Sequence, residues 1–353
     1  MIFRMQLTIL LKHLNITTMK LKNIDFGYVL GQSGVQGFFG EGDEYPHHRV
    51  LHFLFGLLGF SFKGMTFVAK TTSLFPRVYP DKSQTPLDGY KLKQWFPKSI
   101  WFSLRSIMQG YVLNAMGIPS PGALFLLKLK KWQKNSEPFQ ISFMPMEPDI
   151  QGKITEVKEF CNLLLYFLSP TKHLYGVQMN VSCPNTGHAQ TEALEEWISL
   201  AKVFKTLMPN TPLIFKLDLT IDQQVVSKLQ KHCDAICMGN TLAFGKLPEK
   251  VKWQNLFKNG SPLAKLFGEK FSGGLSGKPL FPILIEWLKE MDRIDPTVTI
   301  IAGGGIMTKD NITQLSKFRC VKAIALGSVA IVRPWRLQSL IRHGNNMLNY
   351  KNY

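Results

Sequence analysis

Met179-Asn180-Val181-Ser182-Cys183-Pro184-Asn185-Thr186-Gly187 closes a run of strand-forming residues that starts at Tyr175. The run stops abruptly in a turn that carries two asparagines, a thiol and a proline. Polar groups able to orient a planar, amide-rich ligand therefore gather where a strand meets its loop. In an α/β barrel that is the end at which ligands bind and reactions run. A barrel needs seven more strands, and the chain supplies them.

Eight runs, most of them rich in β-branched and aromatic residues, lie at residues 26–31, 66–70, 139–144, 175–181, 213–217, 235–238, 298–302 and 323–326. From the third onward they read as apolar on both faces, as parallel strands covered on both sides should. Between the later runs the period becomes helical. Ile154, Val157, Phe160, Cys161, Leu164, Leu165 and Leu168 form one stripe. Leu194, Trp197, Ile198, Ala201 and Phe204 form another, with Thr191 placed to cap it. A third helix follows Thr308 or Asp310, and residues 282–291 and 330–348 supply two more. Alternation of strand and helix with eight strands predicts an α/β (β/α)8 TIM barrel. Residues 31–64, 75–134 and 242–276 are far longer than ordinary connections and are read as long lid insertions after strands 1, 2 and 6. No repeat or linker interrupts the rest, so residues 21–353 are expected to form one domain and residues 1–20 a poorly ordered N-terminal extension.

The 353 residues are 45% hydrophobic and 19% charged, the balance of a globular protein with a large core. No segment approaches the ~18 apolar residues that cross a bilayer, so stable membrane insertion is not expected. Residues 50–62, which include His52, read as a buried helix or loop cover. Residues 1–20 are basic and partly apolar but lack a small-residue cleavage site, which argues against a secretory signal. Met19 stands just ahead of the first run as an alternative start, a reading preferred to a targeting segment. The formal charge of +18 attracts anions of every kind. No basic block is interleaved with aromatic residues as a nucleic-acid stacking platform would be, so no nucleic-acid partner is expected. Five irregularly spaced cysteines argue against a disulfide framework and for a reducing, cytoplasmic compartment. Cys161, Cys233, Cys237 and Cys320 read as small core residues, and no metal site is expected.

Chemistry-bearing residues fall at strand ends. Gly303-Gly304-Gly305 follows the seventh run and Gly327-Ser328 the eighth. Successive glycines let backbone N–H groups approach an anion, and barrels place phosphate sites after strands 7 and 8. Lys70 and Lys216 lie within apolar runs, where an ammonium must pair or face a polar cavity. There it can supply a fixed positive charge to a ligand carbonyl, a ring nitrogen or a developing anion. Asn114, Asn180, Asn185 and Asn240, the last followed by Thr241, each offer a donor and an acceptor, which suits an amide-faced ligand such as a pyrimidine. Cys183, in its turn beside a lysine-lined mouth, is the candidate general acid/base, with His188 five residues on.

Asn180-Val181-Ser182-Cys183-Pro184-Asn185 is very similar to the hallmark turn of dihydroorotate dehydrogenases. Lys70-Thr71-Thr72, Asn114-Ala115-Met116-Gly117, Lys216, Asn240-Thr241, Gly273-Gly274-Leu275-Ser276-Gly277, Gly303-Gly304-Gly305 and Gly327-Ser328 recur in that family's order. The similarity runs over about residues 31–342. Residues 34–42 and the lid around Trp95 resemble a related, divergent branch. The resemblance implies an FMN-containing barrel that oxidises dihydroorotate to orotate in pyrimidine biosynthesis, a base removing the C5 proton while hydride passes from C6 to flavin N5. Cysteine in the turn, in place of serine, resembles the soluble, class 1-like enzymes. By position, Cys183 is then the base, with Lys70 beside it. Lys70, Asn114, Asn180, Asn185, Asn240 and Thr241 hold the pyrimidine substrate. Ser33, Gly34, Lys70, Thr71, Asn180, Lys216, Gly277, Gly304, Gly305, Gly327 and Ser328 bind FMN, the last four its phosphate.

Two stretches depart from the pattern. After Lys70 the family continues to a Gly-Asn-Pro segment with a nearby arginine, whereas here Pro76-Arg77 leads into Val78-Tyr79-Pro80-Asp81-Lys82-Ser83. The lid at residues 91–112 is also larger. Both bear on the substrate and on the electron acceptor, for which fumarate, a nicotinamide through a partner subunit and a quinone stay open, as does a homodimeric assembly. The rival readings are a dihydrouridine-synthase-like or other dihydropyrimidine-type FMN oxidoreductase and a catalytically inactive flavin-binding protein. The first expects a helical RNA-binding domain, where only about 25 residues follow Ser328. The second leaves Cys183 and the asparagines without a task.

Overall fold

The computed structural model describes residues 19–40, 48–77, 87–94, 97–168, 174–181 and 190–350. Eight parallel strands form one sheet: β1 (Val29–Gly31), β2 (Phe67–Val68), β3 (Phe139–Phe143), β4 (Tyr175–Asn180), β5 (Leu213–Leu217), β6 (Ala235–Met238), β7 (Ile300–Gly303) and β8 (Val321–Leu326). Their order is β1-β8-β7-β6-β5-β4-β3-β2. The Gly31 N–H donates to the Thr66 carbonyl at 3.0 Å and the Thr66 N–H to the Val29 carbonyl at 2.8 Å, joining β1 to β2. The fold is a (β/α)8 TIM barrel, and each strand lies on one of the eight expected runs.

Side-chain alternation divides the core in two. Leu30, Val68, Ile214, Ala235, Cys237, Ile301, Ala323 and Ala325 pack inside the ring. Their neighbours in the strands, among them Phe143, Val177, Phe215 and Ile324, pack outward against the helices. The bottom of the ring is filled by the hairpin Lys20–Leu21 and Ile24–Asp25, which adds Met19, Leu21, Ile24 and Phe26 to the inner cluster. Six helices clothe the later strands: α1 (Ile150–Phe167), α2 (Gln190–Leu207), α3 (Gln223–Gln230), α4 (Phe281–Ile294), α5 (Lys309–Leu315) and α6 (Leu337–Tyr350). Local chemistry sets their starts. Asp149 accepts from the Gly152 N–H ahead of α1, and Thr308 and Asn311 form a reciprocal capping box at α5.

Three expectations are corrected. Residues 330–348 do not make one helix: a short helix, Ser328–Val332, ends before Pro334, and α6 starts three residues later. Proline lacks the N–H that would continue the ladder, and its ring clashes with the preceding turn. Residues 50–62 are buried only at their end: the helix His48–Leu57 leaves Phe53, Leu54 and Leu57 exposed, with Leu58 beyond it, while Phe60 and Phe62 are buried in the core. Nor are β3 and β4 apolar on both faces, because Gln140, Ser142, Gln178 and Asn180 alternate with their outward residues and are all buried.

The insertions after β2 and β6 meet each other. Ile100–Trp101, Tyr111–Asn114, Gly274–Gly277 and Leu242–Ala243 form a four-stranded antiparallel sheet of their own. The insertion after β1 is tied in by Trp132, fully buried, whose indole N–H donates to the Phe38 carbonyl at 2.6 Å.

Backbone closeness at the strand ends demands glycine in one place above all. A Cβ on Gly239, whose φ is +99°, would fall 2.0 Å from the Gly303 carbonyl oxygen. Gly239→Ala is expected to destabilise the protein by roughly 3 kcal/mol, since overpacking and left-handed backbone strain add. A urea midpoint equal to the parent's would contradict this packing.

Candidate functional site

The inward positions change character toward the C-terminal ends of the strands. Two residues past Val68 stands Lys70, and two past Ile214 stands Lys216. Ser142 and Asn180 are the matching positions on β3 and β4. On the other half of the ring the same step leads from Cys237 to Gly239, from Ile301 to Gly303 and from Ala325 to Gly327. One side of the mouth is thus lined by polar side chains and the other by bare backbone, an arrangement that offers hydrogen-bonding groups on one side and close backbone approach on the other.

On the polar side the residues form a continuous row. Asn240 Nδ2 donates to Asn180 Oδ1 at 3.2 Å, and Asn180 Nδ2 to Thr71 Oγ1 at 3.4 Å. Thr71 Oγ1 lies 2.9 Å from Ser33 Oγ and 2.8 Å from Ser142 Oγ. Ser33 Oγ also lies 3.0 Å from the Ala69 carbonyl. Asn240 Oδ1 in turn accepts the Thr241 N–H at 3.0 Å. Four expected ligand-binding residues, Ser33, Thr71, Asn180 and Asn240, therefore come together with Ser142, which sequence reasoning missed. Its signal was the period-two Gln140/Ser142 pattern inside an otherwise apolar run. Thr71→Val removes the hydroxyl at the hub while keeping the shape. It is expected to lower stability by about 1–3 kcal/mol, the cost of stranding buried polar partners; an unchanged unfolding midpoint would show that the row carries no weight.

Both lysines are buried at the mouth. Lys70 Nζ donates to the Pro119 carbonyl at 2.8 Å and lies 5.1 Å from the Phe38 ring centroid. Its backbone N–H donates to the Gly37 carbonyl at 2.7 Å, which draws the Gly34–Phe38 loop across the end of β2. Lys216 is in register with Asn180 on one side and Cys237 on the other. Burial pulls its pKa below the usual lysine range, with the Cys237 thiol opposing that shift. Burial pushes Cys237 itself up to about 11, against the pull of Lys216 and Gln32.

The glycines separate into two kinds. A Cβ on Gly277 would fall 2.3 Å from the Gly110 carbonyl oxygen, and one on Gly305 2.5 Å from the Gly277 oxygen. Those two are required by close backbone packing whatever binds there. At Gly304 a Cβ would make only ordinary contacts, the nearest at 3.7 Å, and at Gly327 it would meet the Gln32 side chain at 3.0 Å and Val35 at 4.0 Å. Both glycines are half-buried, so their backbone is partly accessible. Gln32 points at the same place. Its Nε2 is buried with no acceptor beyond the weak one of the Cys237 thiol, and a Cβ on Gly303 would sit 2.2 Å from it. A buried amide donor paired so weakly is costly, and an oxygen-rich ligand would satisfy it.

Asn114 belongs to the cover sheet. It pairs with Gly274, and a Cβ on Gly274 would fall 2.5 Å from Thr241 Oγ1, so Asn114 and Thr241 both border Gly274. Cys183, Asn185 and His188 lie outside the described residues. Among those described, no group of three or more His, Cys, Asp or Glu side chains could hold a metal ion, and no helix is long and apolar enough to cross a membrane.

An α/β barrel with a lysine-and-amide half and a glycine half at its mouth is the class that fold and site define. The dihydroorotate dehydrogenase family profile matches residues 103–320, and the chain belongs to that family. It is accordingly an oxidoreductase acting on CH–CH bonds, within a family of flavoproteins. Over 245 residues it is 25% identical to the dihydroorotate dehydrogenase B (NAD(+)) catalytic subunit of Geobacillus kaustophilus, covering 66% of this chain and 69% of that protein. The protein of the same name from Bacillus pumilus is 24% identical over 251 residues, covering 67% and 71%. In three dimensions the chain is similar to ligand-free dihydroorotate dehydrogenase from Eimeria tenella, with a TM-score of 0.51 at 16% identity, covering 80% of this chain and 76% of that one.

Proposed function

We propose that this chain is an FMN-dependent dehydrogenase that oxidises dihydroorotate to orotate in pyrimidine biosynthesis, in the cytoplasm. The observation that carries the reading is the hydrogen-bonded row Asn240–Asn180–Thr71 set between Lys70 and Lys216 at the mouth of a barrel of this family. Lys70, Thr71, Asn180 and Lys216 would hold the flavin ring, with Ser33, Gly34 and Gly277 around it. Gly304, Gly305, Gly327 and Ser328 would hold the phosphate. FMN held there would supply the acceptor for the hydride that leaves C6 of the substrate.

The chain's own residues do the rest. Asn114, Asn180, Asn185, Asn240 and Thr241 present donors and acceptors to the imide edge and orient C5. Lys70 places a fixed positive charge beside the negative charge that develops as the proton departs. Cys183, as thiolate, removes that C5 proton and becomes the thiol, so the substrate loses a proton to the protein and a hydride to the cofactor. Relatives named as NAD(+)-linked catalytic subunits favour reoxidation through a second subunit over fumarate or a quinone.

The purified protein should be yellow, and dihydroorotate added without oxygen should bleach it. Bound flavin that ignores dihydroorotate but is bleached by another dihydropyrimidine would move the substrate assignment. A colourless protein that takes up no FMN would end the flavin reading.

A further inference from the structure

A second cleft lies at the end of the barrel opposite the mouth, where α2 runs down to the start of β5 and α3 to the start of β6. Its volume is about 320 Å³, and it is lined by Lys202, Lys205 and Thr206 from α2 and by Lys231 and His232 from the turn after α3. None of the four basic side chains has a hydrogen-bond or ion-pair partner among the described residues. Other lysines of the helical layer are matched: Lys153 Nζ lies 2.8 Å from both carboxylate oxygens of Glu196, and Lys250 Nζ 2.9 Å from Glu286.

Two carboxylates stand at the rim, and both are engaged. Asp234 accepts the Leu213 N–H at 2.8 Å and lies 4.0 Å from Nζ of Lys22, which also donates to the Thr211 carbonyl at 3.1 Å. Asp295 feels the charge of Lys231 but accepts from the Ser227 hydroxyl at 2.6 Å and the Thr297 N–H at 3.1 Å. Residues 197–217 and 223–233, which supply the lining, contain no aspartate or glutamate. The cations therefore act on one another. Lys202 and Lys205 stand three residues apart on one helix face, where like charges repel. Partial burial lowers the pKa of His232, and Lys202, Lys205 and Lys231 each lower it further. Complementing a helix dipole accounts for Lys205 and Lys228, each in the last turn of its helix. It does not account for Lys202, Lys231 and His232 crowding the same cleft. Three ammonium groups around one small space suit an anion that concentrates several charges, as linked phosphates do and a single carboxylate does not. Lysine meets phosphate as a point charge, without the planar fork that arginine would bring.

We propose that this cleft is a binding site, separate from the barrel mouth, for a small ligand bearing a pyrophosphate group. The test is proton NMR of the His232 ring in the full chain, its signal identified by loss in His232→Gln, with and without inorganic pyrophosphate at constant ionic strength. Bound pyrophosphate should raise the pKa of His232 by about one unit, because a nearby anion favours the imidazolium. Facing that ring are Lys202 and Lys205 of α2, Lys231 beside it and, at the rim, Lys22, Asp234 and Asp295. All are present in both titrations, so the difference between them belongs to the ligand. By calorimetry, pyrophosphate should bind at least tenfold tighter than sulfate. Lys202→Ala/Lys231→Ala should weaken it tenfold or more, while Lys158→Ala/Lys289→Ala, exposed on α1 and α4, should bind it as the parent does. An unmoved His232 signal in the parent overturns the proposal, whatever the variants do. So does pyrophosphate held no tighter than sulfate, a Lys202→Ala/Lys231→Ala protein that binds like the parent, or a control pair that weakens binding as much. A His232 signal moved only by RNA or by anionic vesicles also overturns it, and assigns the cleft to a surface for polyanions. None of these outcomes depends on flavin or dihydroorotate.

Discussion

Cys183→Ala is expected to keep its flavin and to lose its reaction with dihydroorotate. The residues proposed to hold the flavin follow β1, β2, β7 and β8, lie on β4 and β5 and include Gly277, and Cys183 is not among them, so colour and FMN content should match the parent. A positioned general base contributes about 10²–10⁴-fold, and a fall of that size in the anaerobic bleaching rate at pH 7 is expected. The pH profile separates the role from mere packing. Bleaching by the parent should climb with pH as thiolate forms, whereas the variant should lose that limb. Alkylation gives a parallel route. The four described thiols are buried, and burial raises the pKa of Cys161 to about 12 and of Cys237 to about 11 and pushes Cys233 up as well. A thiol reagent near neutral pH should therefore inactivate through Cys183, and dihydroorotate should protect. Rapid bleaching of Cys183→Ala would remove the cysteine from the proton transfer.

All eight strands were legible because a parallel strand covered on both sides is a short apolar run with glycine or a polar residue at its end. What the runs hid was their inner face. In Phe139-Gln140-Ile141-Ser142-Phe143 the outward Phe139, Ile141 and Phe143 dominate any average, while the polar alternates build the floor of the site. The pairing of Tyr111–Asn114 with Gly274–Gly277 was illegible for another reason. It joins two insertions far apart in the chain, and no local pattern names a distant partner. The helix His48–Leu57 was read as buried from its composition, but composition counts apolar residues without saying whether anything covers them. The site residues were placed more surely than their roles. Asn240 and Asn180 do meet directly, and Thr71 carries the row on to Ser33. Gly277 and Gly305, grouped with the ligand-binding glycines, are already required by their approach to Gly110 and to each other.

Lys216→Met is expected to make the flavin-free protein more stable and the flavin complex weaker. Lys216 is buried on β5 between Asn180 and Cys237, and desolvation lowers its pKa. An unfolded lysine keeps its proton to about pH 10.4. Between the lowered folded value and that point the unfolded chain binds more protons, so stability of the parent should rise with pH through this window. Below the window the lysine is charged in both states and stability no longer changes as pH falls. Methionine fills nearly the same space without charge. Replacing buried charge by a well-packed apolar group of similar volume is often neutral or stabilising by about 1–4 kcal/mol, which at roughly 2 °C per kcal/mol is several degrees in Tm. The gain should be largest at neutral pH and shrink as pH rises through the window, since the parent alone titrates there. The same ammonium is the group proposed to meet the electron-rich edge of the flavin, so FMN should bind at least tenfold more weakly, about 1.4 kcal/mol. The two measurements oppose each other only if the lysine serves a ligand. A variant that melts lower without flavin would show that Lys216 supports the fold, and one that binds FMN as tightly as the parent would show that the flavin does not use it.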